Sequence, residues 1–278
     1  MRQCEAMKEQ LVELIVARLS ADCEALKKVF EASKNEVGVR YCAVDDLLPQ
    51  ELAERIHRAF PQPSAMRLME SFRECKYTSK SFDQFDPLMA DITFAVQDPR
   101  VVEVVEKITG IREQIPDGSL YAGGLSAMVK GHHLGPHIDN SHEASRRHYR
   151  TLNLLYYVTP GWSLENGGNL ELWDERVRRN VTIVSRFNRL AIMETTPTSW
   201  HSVSPVVADG TRCCVSNYYF SPRSPTGQDY FNVTSFSARP GQPLLRLLAR
   251  VDNGLRRGIR AIVPQGVGKK DVYEGRKP

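Results

Sequence analysis

The chain has no run approaching the roughly 18 apolar residues that a membrane-spanning helix needs, and its first residues, Met1-Arg2-Gln3-Cys4-Glu5, lack the apolar core of a secretory signal. No internal repeat or low-complexity tract is present, which excludes solenoids and arrays. Neither charge sign dominates: 37 Lys and Arg against 33 Asp and Glu leave a net charge of +4. That excess is too small to imply nucleic acid. The six cysteines show no C-x-x-C spacing, and the adjacent Cys213 and Cys214 would point to opposite sides of a strand. Disulfide scaffolds and thiolate metal sites are therefore not expected, and a reducing, cytoplasmic location is.

What remains is an ordinary soluble composition, 41% hydrophobic and 25% charged over 278 residues, enough to bury a sizeable core. The pattern changes along the chain. Val12, Ile15, Leu19, Cys23, Leu26 and Phe30 recur every three or four residues, which predicts one packing helix, a partner-binding or dimerising face being the alternative. Residues 37–44 read as a strand. Asp46 then serves as the cap or near-cap of a helix whose stripe is Leu52, Ile56 and Phe60, ended by Pro61 and Pro63. Residues 67–86 read as a charged surface connection, a substrate-covering lid being the alternative. Asp98-Pro99 starts a further helix that Gly110 stops.

From residue 120 the texture is of strands punctuated by Gly, Pro and Asn. The expected strands are 120–130, 137–140, 151–158, 169–173, 180–185, 189–194, 201–206 and 212–220. The fold class is therefore α+β with a mainly β core: a double-stranded β-helix (jelly roll) with N-terminal packing helices and a C-terminal basic helix. The divisions are a helical part over 1–114, a jelly-roll core over 115–222 and an extension over 223–278, together one structural domain. In the extension, Leu244, Leu248, Val251, Leu255, Ile259 and Ile262 make a stripe opposite Arg246, Arg250, Arg256, Arg257 and Arg260. This reads as a helix docked through its apolar stripe with a solvated basic face, or as a helix for anionic membranes or acidic partners. The tail beyond Gly266 reads as frayed.

The chemistry concentrates in Gly135-Pro136-His137-Ile138-Asp139-Asn140 and in Trp200-His201-Ser202. Five of the seven histidines lie between positions 132 and 148, but only His137 has a carboxylate two residues on. On extended backbone those two side chains share a face. With His201 they form two imidazoles and one carboxylate, the ligand set of the facial triad of non-haem Fe(II) oxygenases. His132 and His133 read as rim residues, and the loop 140–148, with His142, Arg146, Arg147 and His148, as either a lid or a solvated connector. Arg212, Cys214, Ser216 and Tyr218 share one strand face, as do Asn153, Leu155 and Tyr157 on another. An inward arginine requires an anion, which a small dicarboxylate would supply.

His137-x-Asp139, then Thr151 to Val158, then Gly167-Gly168-Asn169-Leu170, His201 and Arg212 eleven residues later, together resemble the Fe(II)/2-oxoglutarate-dependent dioxygenase superfamily, more narrowly its prolyl-4-hydroxylase-like branch. The resemblance implies Fe(II) on His137, Asp139 and His201. It implies 2-oxoglutarate with its C5 carboxylate on Arg212 and Tyr157, with Ser216 and Asn153 as weaker members of that pocket. O2 would be consumed, with succinate and CO2 released, and a C–H bond of a small molecule, amino acid or peptide would be hydroxylated. Arg212 stands where many collagen-type members carry lysine, and Asp139 where related halogenases carry Gly or Ala, so halogenation is not expected. The other readings are a cupin-like metal enzyme that does not use 2-oxoglutarate, for which Arg212 has no purpose, and a non-catalytic jelly-roll binding module. Beyond substrate, no nucleic-acid partner is expected, and the sequence leaves the oligomeric state open, a homodimer being one arrangement.

Overall fold

The computed structural model describes residues 2–121, 123–143, 145–262 and Tyr273. The long amphipathic stripe divides into α1 (Arg2–Ala21) and α2 (Cys23–Ala32). The break falls at Asp22, whose side chain pairs with Arg18 and whose carbonyl accepts from the Leu26 amide at 2.8 Å. Val12, Ile15, Leu19 and Phe30 are fully buried in the chain's own core, so this stripe is a packing face and not a dimer surface. A single turn, α3 (Lys34–Val37), ends on left-handed Gly38, and only then does β1 (Tyr41–Val44) begin, shorter than its sequence expectation. α4 (Gln50–Ala59) starts after Pro49; Asp46 is not its cap but a turn residue at φ 52°.

Residues 67–86 are not a plain surface connection. They fold into a hairpin, β2 (Arg67–Glu70) and β3 (Glu74–Ser79), and β3 continues into the main sheet. α5 (Pro87–Ala95) has no counterpart in the sequence reading because Leu88, Met89, Ile92 and Ala95 are buried around the helix. Such a segment shows no one-sided period. α6 (Pro99–Thr109) has the expected ends: the Asp98 carboxylate accepts from the Arg100 amide, and Gly110 closes it in the left-handed conformation.

The remaining strands are β4 (Ile115–Pro116), β5 (Gly124–Met128), β6 (His133–Ile138), β7 (Tyr149–Tyr157), β8 (Leu170–Trp173), β9 (Asn180–Ile183), β10 (Arg189–Glu194), β11 (His201–Val203), β12 (Arg212–Ser221) and β13 (Ser235–Phe236), followed by α7 (Pro243–Ile262). They join antiparallel in the order β1-β10-β7-β12-β5-β3-β6-β11-β8-β9, with β2, β4 and β13 on the side strands, and curl into a nearly closed jelly roll. The helical N-terminal part thus supplies strands to the sheet as well. The tail beyond Gly266 lies outside the described residues, Tyr273 excepted.

The two faces of β7 and β12 organise the molecule. Leu152, Leu154, Tyr156 and Val158, with Cys213, Val215 and Tyr219, pack outward under α1, α2, α5 and α6. Tyr157 and Cys214 turn inward with Leu170, Leu172, Ile183 and Met193. Cys213 and Cys214 therefore do point apart, and the five cysteines described are free.

Asn188 ties the helical layer to the sheet. Its Oδ1 accepts from the Leu48 amide at 3.1 Å and from the Tyr156 hydroxyl at 2.8 Å, and its Nδ2 donates to the Leu48 carbonyl at 2.6 Å. Its φ of 60° is one that asparagine tolerates better than β-carbon residues without a polar side chain. Asn188→Ala strands three buried partners and adds backbone strain; a loss of about 2–4 kcal/mol is expected in urea unfolding, and an unchanged midpoint would contradict it.

Candidate metal centre

His137 and His201 are register partners on the antiparallel pair β6 and β11, and Asp139 follows just beyond the end of β6. The pairing brings the rings to 4.1 Å between centroids. Nε2 of His137 lies 3.6 Å from Asp139 Oδ1, and Nε2 of His201 lies 3.4 Å from Asp139 Oδ2. Each Nδ1 sits 3.0 Å from a carbonyl, that of Gly135 or of Ser199. A ring nitrogen facing a carbonyl carries the proton, so both Nε2 lone pairs are left for a common acceptor. Ligand atoms about 2.1 Å from one first-row ion, at right angles, are about 3 Å apart. The observed separations fit a divalent ion held from one side, and among the described residues this is the one such cluster.

Neighbouring groups fix the ligands. Phe236 on β13 stacks on His137 at 5.4 Å. Beside His201, Ser202 accepts from Trp173 Nε1 at 2.7 Å and donates to Glu171 at 2.6 Å, and Arg239 closes the chain on Glu171. Burial depresses His137 below the usual histidine range, and the neighbouring His201 adds to this, outweighing the raising effect of Asp139. The neutral imidazole is the form that binds metal.

Asp139 has a partner that the sequence reading missed. Arg150 on β7, with 1% of its side chain exposed, places Nη1 3.0 Å from Asp139 Oδ2. Asn153, three residues further along the same strand, donates Nδ2 to the same oxygen at 2.8 Å. Asn153 thus contacts the Asp139 carboxylate, whereas the sequence suggested it as a weaker member of the pocket around Arg212. Burial works to raise the Asp139 carboxyl, but the charges of Arg150 and His201 and the imidazole hydrogen bonds overcome it, and the group sits well below the usual carboxylate range. The Arg150 guanidinium lies over Tyr218 at 4.2 Å, and its Nε and Nη2 have no hydrogen-bond partner among the described residues.

On the inward face, Arg212 is 3% exposed and forms no ion pair among the described residues. Its Nε is 3.4 Å from Ser185 Oγ, its Nη1 3.8 Å from Met128 Sδ, and its guanidinium lies 4.7 Å from the Tyr157 ring centroid. The buried Tyr157 hydroxyl has no hydrogen-bond partner of good geometry among the described residues, and burial pushes its pKa upward against the lowering effect of the nearby Arg212 and Ser185, so it remains a proton donor. Ser216 follows on the same strand face, its Oγ 3.7 Å from Cys214 Sγ. A buried guanidinium and an orphaned hydroxyl side by side are what a carboxylate would complete. The Gly167-Gly168 turn makes room for this wall: a β-carbon on Gly167 would lie 2.0 Å from the Pro205 carbonyl oxygen, and one on Gly168 would press on Val206.

The described residues at the two ends of the loop 140–148 are packed against residues 229–232, while Ser145 and Arg147 at its tip are exposed. Asn232 donates to the Asp139 carbonyl at 2.7 Å and its amide to Ser141 Oγ at 2.9 Å, while the Tyr149 hydroxyl bonds Asp229 at 2.7 Å. The His142 and Tyr149 rings pack at 4.2 Å, and Arg146 covers Phe231. These contacts line one side of Asp139. His148 pairs with Glu143 at 3.4 Å. His132 packs against Tyr77 at 5.1 Å, away from the ligand cluster, and His133 lies on the outer part of β6, paired with Cys75.

Residues 123–220 match the family model described as the 2OG-Fe(II) oxygenase superfamily. Prolyl 3-hydroxylase OGFOD1 of Xenopus laevis is 34% identical over 95 residues, and that of Mus musculus 28% identical over 88 residues. These matches cover 31% and 30% of this chain but span only 19% and 16% of the relatives. Among solved structures, a prolyl hydroxylase of Trichoplax adhaerens in complex with a hypoxia-inducible-factor peptide superposes with a TM-score of 0.51 at 16% identity, over 72% of this chain and 91% of that one. A Pseudomonas putida prolyl-4-hydroxylase gives 0.51 at 13% identity, over 70% and 98%. At these identities the likeness is one of fold.

Proposed function

We propose, from the premise that residues 123–220 belong to the 2OG-Fe(II) oxygenase superfamily, that this chain is an Fe(II)- and 2-oxoglutarate-dependent dioxygenase that hydroxylates a C–H bond of an amino-acid, peptide or other small substrate. The observation that carries the proposal is the buried, unpaired Arg212 beside the orphaned Tyr157 hydroxyl, on the same barrel interior as the His137, Asp139 and His201 cluster. His137, Asp139 and His201 would hold the iron, which supplies the activation of O2 coupled to decarboxylation of 2-oxoglutarate. Arg212 and Tyr157 would bind the distal carboxylate of 2-oxoglutarate, with Ser216 along the same wall. Arg150 and Asn153 orient the Asp139 carboxylate and keep it ionised.

The free Nε and Nη2 of Arg150 support a substrate that presents a carbonyl or carboxylate beside Asp139. The relatives named prolyl 3-hydroxylases make peptidyl proline the first candidate. A cupin-like enzyme without 2-oxoglutarate leaves Arg212 a buried charge with no purpose, and a non-catalytic module leaves the aligned ligand set unexplained. We further take the helices of 1–114 and the strands of 115–222 as one functional domain, since they share one apolar core. A cytoplasmic setting agrees with the free cysteines. All the ligands come from one chain, so a homodimer is not required for the site.

The test is succinate release from 2-oxoglutarate with Fe(II), in the presence of prolyl peptides and a panel of free amino acids. Turnover that requires both the metal and 2-oxoglutarate is the expected result. Absence of any 2-oxoglutarate binding in the Fe(II)-loaded protein rejects the proposal.

A further inference from the structure

The chain that follows β12 returns to the strands of the metal centre. β13 pairs with the end of β6, Phe236 opposite His137, and the Ser237 amide donates to the Pro136 carbonyl at 2.7 Å. Arg239 then reaches the two strands beyond. Its Nη1 donates to the Glu171 carboxylate of β8 at 2.6 Å, and its Nη2 to the Val203 carbonyl of β11 at 3.0 Å. α7 holds the same segment. Asn253 exchanges two hydrogen bonds with the backbone of Phe236, 2.9 Å and 2.7 Å long, and Arg246 donates to the carbonyls of Ala238 and Val177. Contrary to the sequence expectation, α7 docks through these polar residues and Ala249, while Leu244, Leu248 and Val251 are more than half exposed. The side chains of Leu255, Ile259 and Ile262 lie outside the described residues. The segment 235–253 lies wholly beyond residue 220, where the match to the oxygenase family ends.

We propose that residues 235–239 are a clamp that positions the two imidazole ligands, with Phe236 and Arg239 as its positioning residues; the inference rests on the metal centre assigned above. The ladder between the two ligand strands needs such support. His201 pairs with His137, but the register shifts before Val203 pairs with Leu134, and β11 has only three residues. An irregularity of this kind disrupts the ladder locally, so backbone pairing alone holds His201 loosely against His137. Arg239 acts where the ladder is weak: it takes the Val203 carbonyl directly and reaches Ser202 through Glu171, whose carboxylate accepts from the Ser202 hydroxyl at 2.6 Å. The side chains of Arg239 and Glu171 are 22% and 14% exposed, so water screens this pair less than a surface one. On the other strand, the His137 ring packs against His201 at 4.1 Å and against Phe236 at 5.4 Å, the latter within 21° of parallel. With its Nδ1 at the Gly135 carbonyl, the ring cannot turn about its Cβ–Cγ bond without meeting Phe236. One segment thus sets the ring plane of one ligand and the strand position of the other. Loss of groups that orient metal ligands in this way costs about 10–100-fold in metal affinity.

Titration of the metal-free full chain with Co(II), followed by its visible absorption, tests this without reference to catalysis. Phe236→Leu and Arg239→Gln should each bind Co(II) about 10–100-fold more weakly than the wild type, with a changed visible spectrum, at a temperature where circular dichroism shows them folded. Arg239→Lys, which keeps a charge for Glu171, should recover part of the loss. Asn188→Ala, which loosens the opposite side of the sheet, should unfold more readily yet keep the wild-type Co(II) affinity and spectrum. Wild-type affinity and spectrum in both Phe236→Leu and Arg239→Gln overturn the proposal, as does an equal loss of affinity in Asn188→Ala, which would trace the effect to general destabilisation. If Arg239→Gln does not fold, Phe236→Leu decides alone. A wild-type chain that binds no Co(II) would instead reject the metal centre itself, and the clamp with it.

Discussion

Arg212→Ala is expected to raise the 2-oxoglutarate concentration needed for half-maximal turnover by about 100-fold or more, the scale of losing one partner of a buried, charge-assisted pair. The same substitution should leave the metal-free protein at least as stable as the wild type. Among the described residues Arg212 is buried against Tyr157 with no acidic partner, so the free protein bears the desolvation cost of a guanidinium that a bound anion would offset. Arg212→Met, close in volume, makes the comparison cleaner. Thermal denaturation should show an unchanged or raised midpoint for the metal-free variant and no further rise on adding 2-oxoglutarate with metal. The wild type should show such a rise. A variant that loses several degrees without ligand would mean that Arg212 is a structural cation, and the co-substrate assignment would fail with it. Arg212→Lys should fall between, since an ammonium keeps the charge but cannot make two parallel bonds.

Asp139→Ala has the second large expected effect, on two properties at once. It removes one of three metal ligands, and metal affinity and turnover should fall by at least about 1000-fold, measured by isothermal titration with Fe(II) under anaerobic conditions. It also leaves Arg150, 1% exposed and already lacking partners at Nε and Nη2, without its one carboxylate. Breaking such a pair costs about 3–5 kcal/mol. Arg150→Met in the Asp139→Ala background should recover most of that stability and none of the metal binding. If the double variant is no more stable than the single one, the Arg150–Asp139 pair is not the source of the loss. The pH dependence follows from the depressed carboxyl. A carboxyl lowered in the folded state contributes stability above its unfolded pKa of about 4 and loses it as pH falls through the folded value. The wild type should therefore lose stability more steeply than Asp139→Ala on acidification below about pH 4.

The two predictions rest on features with different visibility in the sequence. His137-x-Asp139, His201, Arg212 and Tyr157 were readable because a strand's period of two assigns side chains to faces from residue order alone. β10 matches its expected span, and β7 and β12 turn to the interior the residues that their alternation predicted. Arg150 was not readable. It lies at the start of β7, eleven positions from Asp139, and nothing local marks it; the contact exists because the sheet curls β7 past the end of β6. Asn153 was placed on the correct face but given the wrong neighbour for the same reason. The wall made by residues 229–232 against the loop after Asp139 is likewise a meeting of distant segments.

Residue order alone fixes the periodicities: which residues share a face, where the helices can begin and stop, and which side chains carry metal-binding and anion-binding chemistry. Which face turns inward is set by long-range packing. α5 escaped notice because it is buried all round and so has no period to detect, whereas α7 has a strong period whose described members, Leu244, Leu248 and Val251, face outward rather than inward as expected. Periodicity is a property of one segment, while orientation depends on what the rest of the chain offers that segment to pack against. For α7 the domain offers backbone carbonyls and the edge of β13, which accept Arg246 and Asn253 and leave Leu244, Leu247, Leu248 and Val251 exposed.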